Sequence, residues 1–158
     1  MLSLDVLEAD RVFTLAQWGP HAVVVWHATP DVLRARKVAN LMTTCATQAP
    51  GRACYFAWVL PTAGQPEAPA REVLTQMGRK LGSDIACMMI IVGDDGFFSA
   101  IVRAVITGME FAARSRFPLK LAATLEEGAA WVEKKTAVSA AQLTRVMNDP
   151  VAHKAIAV

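Results

Sequence analysis

Few side chains in this chain have both the type and the spacing to do chemistry. His21 and His27 stand six residues apart in one extended segment. That spacing puts them on one face but about 20 Å apart by strand rise, too far to share a metal ion. His27 and Asp31, across a strand-to-helix turn, are the nearest approach to an acid–base pair. No nucleophile and no third orienting group stands beside them in sequence, so a catalytic centre is not expected. Cys45, Cys54 and Cys87 are odd in number, form no CxxC pair and lie in apolar segments. This is the pattern of reduced core thiols, and no cofactor or metal is expected.

Gly93-Asp94-Asp95-Gly96 precedes a helix and has the glycines of an anion cradle. Its aspartates satisfy the free amides and the helix dipole themselves and would repel a phosphate, and no Lys-Ser/Thr follows; capping is the expected role. Trp58 stands just before a loop with three prolines, Pro61 to Pro69. Ligands of open α/β sheets sit outside the carboxyl ends of the strands. The candidate interaction or ligand surface is therefore His27, Thr29, Trp58, Thr62, Gly64, Gly93, Asp94, Asp95 and Phe97.

A long apolar helix follows that turn. Its polar residues Ser99, Arg103, Thr107, Glu110 and Arg114 fall at steps of four, four, three and four, making one narrow line. Ala100, Ala104, Gly108 and Ala112 form a small-residue track at helical spacing that lets another backbone come close. The track either packs on the first or fourth helix within the monomer or forms a homodimer or partner surface. Gly108 needs one explanation or the other, because glycine costs about 1 kcal/mol against alanine in a helix interior.

The elements that must position these residues read as follows. Arg11–Trp18 and His21–His27 are strands joined by a hairpin at Gly19-Pro20. Thr29 and Pro30 open a first helix that runs to about Gln48. Ala53–Leu60 is a strand apolar on both faces, and the helix after the proline loop closes at Gly82. Ile85–Val92 is an unbroken apolar run that suits a central parallel strand. The helix from Phe97 to about Ser115 leads to a short strand, Phe117–Ala123. Thr124-Leu-Glu-Glu127 and Ser139-Ala-Ala-Gln142 are capping boxes that open two closing helices. Val151–Val158 carries no clear signal.

Composition narrows the classes. The 158 residues are 54% apolar and 19% charged, against about 45–50% and about 25% in ordinary soluble domains. Mean hydropathy is +0.32. No uncharged apolar run reaches the ~18 residues of a membrane span, and Asp5, Glu8 and Asp10 replace the basic end of a secretory signal. Net charge is only +2 and scattered, which disfavours nucleic acid. The expectation is a cytoplasmic protein whose apolar excess is covered by self-association or a partner.

The order is thus β-β-α-β-α-β-α-β-α, a mixed, mostly parallel sheet in one α/β domain over residues 1–135, with a short C-terminal helix and tail over 136–158. Over residues 11–135 the chain resembles the STAS domain of bacterial anti-sigma-factor antagonists. Three segments carry the resemblance: Trp26-His-Ala-Thr-Pro-Asp31, Val92-Gly-Asp-Asp-Gly-Phe97 and Thr124-Leu-Glu-Glu-Gly-Ala-Ala-Trp131. It implies a non-catalytic regulatory domain acting through protein contacts, often switched by phosphorylation inside an Asp-Ser-Ser/Thr-Gly motif. Leu60-Pro-Thr-Ala-Gly-Gln-Pro-Glu67 stands in that place, with Thr62 its only hydroxyl and no preceding aspartate. The alternative is a module that holds a small apolar or lipidic molecule at the strand C-termini.

Overall fold

Gly19, with φ +57°, and Pro20 reverse the chain between two strands of β-branched and aromatic residues. The structure is a computed structural model, and it describes residues 2–93 and 96–153. Along the chain lie β1 (Leu4–Ala9), β2 (Phe13–Trp18), β3 (His21–Trp26), α1 (Val32–Gln48), β4 (Ala53–Val59) and α2 (Ala68–Leu81). Then come β5 (Ile85–Ile91), α3 (Gly96–Ala113), β6 (Leu119–Ala122), α4 (Leu125–Lys135), α5 (Ala140–Met147) and α6 (Pro150–His153). Among the described residues this makes one α/β body with a six-stranded mixed sheet in the order β1-β2-β3-β4-β5-β6.

The sheet differs from expectation at its start. β1 is an additional strand, antiparallel to β2, and β2 is antiparallel to β3; only the β3–β4, β4–β5 and β5–β6 pairings are parallel. β1 escapes a hydropathy reading because Asp5 and Glu8 interrupt it and its outer side meets solvent. A bulge at Leu7 breaks its alternation: Val6 faces Ala16, Glu8 faces Leu15, and Leu7 is left unpaired and half-exposed.

Helix starts follow the capping chemistry, with one correction. Asp31, not Thr29, caps α1, accepting the Arg34 N–H at 2.9 Å. Pro30 is buried and keeps Thr29 out of helical conformation, so the first turn begins after it. Thr124 Oγ1 accepts the Glu127 N–H at 3.1 Å, and Ser139 Oγ accepts that of Gln142 at 3.4 Å. α6 is a further element that the tail gives no sign of.

Each parallel crossover steps one strand further in the same direction, which puts α1, α2 and α3 on one face of the sheet. There Phe13, Val24, Tyr55 and Met88 meet Val38, Met42 and Met77. On the other face, Phe56, Cys87, Met89 and Ile91 pack beneath Leu125, Val132, Leu143 and Met147 of α4 and α5. Phe13, Phe56 and Met42 have no exposed surface, and each such side chain contributes about 2–3 kcal/mol by burial.

Candidate functional site

At the carboxyl end of β3 the polar groups are spent on structure. His27 Nε2 lies 2.9 Å from Thr14 Oγ1 on the neighbouring strand, and the ring is buried. Burial holds its pKa below the ordinary value, assisted by nearby His153 and opposed by Asp10. The expected pairing with Asp31 does not form. Besides capping α1, the Asp31 carboxylate accepts the Arg34 guanidinium, and Arg34 also binds Asp10 at 2.9 Å. Asp10 in turn accepts the Val12 and Phe13 amides at 2.8 and 3.0 Å. Burial resists ionisation of Asp10, yet these bonds together hold its pKa below the usual carboxylate value. The cluster pins the β1–β2 turn to α1.

The proline loop is tied to the same place. Thr62 donates its hydroxyl to the His27 carbonyl at 2.7 Å. Gly64, with φ +77°, turns the loop so closely over Thr29 that an added Cβ would lie 3.3 Å from Thr29 Oγ1. The residues named from sequence therefore separate. Trp58 and Gly93 share a cleft at the strand ends with Phe98, Ser99 and Asn148; Thr29 and Gly64 lie on the α1–α2 side; Phe97 points to solvent. Asp94 and Asp95 lie outside the described residues.

Trp58 is covered by a residue that sequence reasoning missed. The His153 ring stands edge-on to it with centroids 4.7 Å apart, and His153 Nε2 lies 2.6 Å from the Met147 carbonyl. The signal available for this was slight: Asn148-Asp149-Pro150 reads as a stop, and nothing after it shows periodicity. At the opposite end of the sheet, His21 Nδ1 accepts the Cys54 N–H at 3.1 Å between the rings of Trp18 and Phe56. Burial there drives its pKa down to about 4.

α3 packs inward through buried Val102 and through Phe98 and Ile106, and part of its polar line turns inward beside them. Ser99 is buried, and Arg103 reaches inward to the Gly93 carbonyl at 2.9 Å. Ala100, Ala104, Gly108 and Ala112 all face outward, and a Cβ on Gly108 would meet nothing within 4 Å. The track therefore packs on neither α1 nor α4. α3 leans on α2, and α4 occupies the other face of the sheet. Phe97 and Phe111 are 82% and 86% exposed. Along this outer side Phe97, Ala100, Ala104, Gly108 and Phe111 follow steps of three, four, four and three, a stripe symmetric about Ala104.

By length and composition alone, α3 is also long and apolar enough to cross a membrane, with mean hydropathy 1.4 over its 18 residues. That stretch includes Arg103 and Glu110. Among the described residues no group of three His, Cys, Asp or Glu could hold a metal ion. A scan of protein-family models, a search of curated proteins and a search of solved structures each find no match to this chain.

Proposed function

We propose that this chain is a cytoplasmic, non-catalytic interaction domain that self-associates through the outer side of α3. The observation that carries the reading is the exposed Phe97–Phe111 stripe with its symmetric spacing. A two-fold interface brings the same patch of both subunits together. Two copies of α3 crossing antiparallel at Ala104 set Phe97 of one beside Phe111 of the other. The alanines and Gly108 between them let the backbones approach closely. A solitary exposed phenylalanine is ordinary, but two on one stripe, about 21 Å apart at 1.5 Å per residue, make a contiguous apolar surface.

This reading keeps what the STAS resemblance implies, regulation by protein contact, and proposes the STAS-like order for the run from β2 to α4. It leaves out the phospho-switch, because the Thr62 hydroxyl already serves the His27 carbonyl. An acid–base enzyme is disfavoured because His27 and Asp31 each serve other partners.

Sedimentation velocity over a wide concentration series tests it. A dimer that dissociates on dilution, and that becomes monomeric in Ala104→Glu without loss of the folded spectrum, is the expected result. A wild-type protein that is monomeric throughout, or an Ala104→Glu variant that dimerises as well as wild type, would overturn it.

A further inference from the structure

α4 lies directly on β5 and β6, whereas α3, on the opposite face, makes its main contact with α2. The space left between α2, α3 and the β4–β6 half of the sheet is an apolar cavity of about 80 Å³. A single water needs roughly 10–15 Å³ and two to four polar partners, and this lining offers few. Tyr55, Met88 and Ile106 are typical of its walls. Met77, Met88 and Met109 come from three different elements, and methionine adapts its shape to what it packs against.

Two features give the cavity a polar end. Ser115 Oγ is fully buried and, among the described residues, has no hydrogen-bond partner. An unmade bond at a buried hydroxyl is costly, and a partner supplied by a ligand would recover that loss. Glu110, the one charged residue among the described residues of the lining, belongs to the same end of α3. Both side chains accept hydrogen bonds, and the carboxylate repels an anion.

We propose that this cavity binds one unbranched aliphatic chain whose head group donates hydrogen bonds, a hydroxyl or an ammonium, with the head at Ser115 and Glu110 and the chain among the methionines. Occupancy uses the inner side of α3 and does not depend on self-association through the outer side.

The test is a titration of the full chain, carrying ¹³C-methyl methionine, with octan-1-ol, octylamine and octanoate. Met77, Met88 and Met109 should shift saturably with the alcohol or the amine, while Met89 on β5 and Met147 on α5, in the core on the other face of the sheet, stay in place. Octanoate should bind at least about tenfold more weakly, a gap that Glu110→Gln narrows. Ser115→Ala should weaken octanol binding by about three- to tenfold. Ile106→Trp, or Met109→Phe should that variant misfold, should abolish the shifts while the Met89 and Met147 signals report an intact fold. The proposal is overturned if neither donor ligand shifts the three methionines saturably. Octanoate binding as tightly as octanol would also overturn it, as would shifts that survive a cavity-filling variant.

Discussion

Thr14 Oγ1 and His27 Nε2 meet at 2.9 Å across the β2–β3 ladder, and both residues are buried. This bond, rather than a pairing with Asp31, decides the state of His27: the imidazole is a satisfied core group held below its ordinary pKa by burial. Thr14→Val keeps the shape and leaves the ring nitrogen buried without its partner. The variant should lose about 1–3 kcal/mol in urea unfolding, and Thr14→Ser, which restores the hydroxyl, should recover most of it.

His21 carries the larger pH dependence. It titrates near 6.5 when exposed and at about 4 in the folded protein, because burial between Trp18 and Phe56 disfavours the charged ring. The unfolded chain therefore binds the proton first as pH falls. Stability is at its full value above about 6.5 and declines toward pH 4, by up to about 3 kcal/mol from this residue. His21→Asn keeps an acceptor for the Cys54 amide and removes the titration. Its unfolding free energy should start lower and change much less between pH 6.5 and 4.

The cysteines should be silent until the protein opens. Cys45, Cys54 and Cys87 have no exposed surface, and Cys54 and Cys87 sit opposite each other on β4 and β5 with their sulfurs 3.7 Å apart. Burial also pushes the Cys45 thiol up to about 11, which starves it of thiolate. A thiol-reactive chromophore should report no reaction under native conditions and three equivalents in denaturant. A fast native reaction of any thiol would contradict this arrangement of the core.

What could be read from sequence was what local chemistry determines. The hairpin at Gly19-Pro20, the caps at Thr124 and Ser139, and the end of α2 before Gly82 each depend on a few neighbouring residues, and each lies where expected. β1 depends instead on β2 for its pairing and hides behind its own acidic residues. The distance from His27 to its partner was invisible because Thr14 is thirteen residues away. For α3, the periodicity separated a polar line from a small-residue track, but it could not say which side faces the domain. Packing drew Ser99 and Arg103 inward beside Val102 and left Phe97 and Phe111 outside with Thr107 and Arg114.

Two helical glycines should respond to alanine with opposite signs. On α4, a Cβ at Gly128 would come within 2.7 Å of Met89 Sδ and 3.2 Å of the Ala122 Cβ, at the seam where that helix lies on the sheet. The methionine can yield in part, but the Ala122 contact cannot, so Gly128→Ala should lower stability by about 1 kcal/mol or more. On α3, Gly108 has open space around the same position. Gly108→Ala should therefore raise monomer stability by about 0.5–1 kcal/mol through helix propensity alone. If α3 pairs with a second copy at Ala104, the added methyl groups also widen the closest approach of the two helices, so the same substitution weakens the dimer. Thermal unfolding at low concentration and sedimentation at high concentration read these two effects separately. Gain in the first with loss in the second is the signature of a glycine kept for an interface, since no contact among the described residues of the monomer requires it.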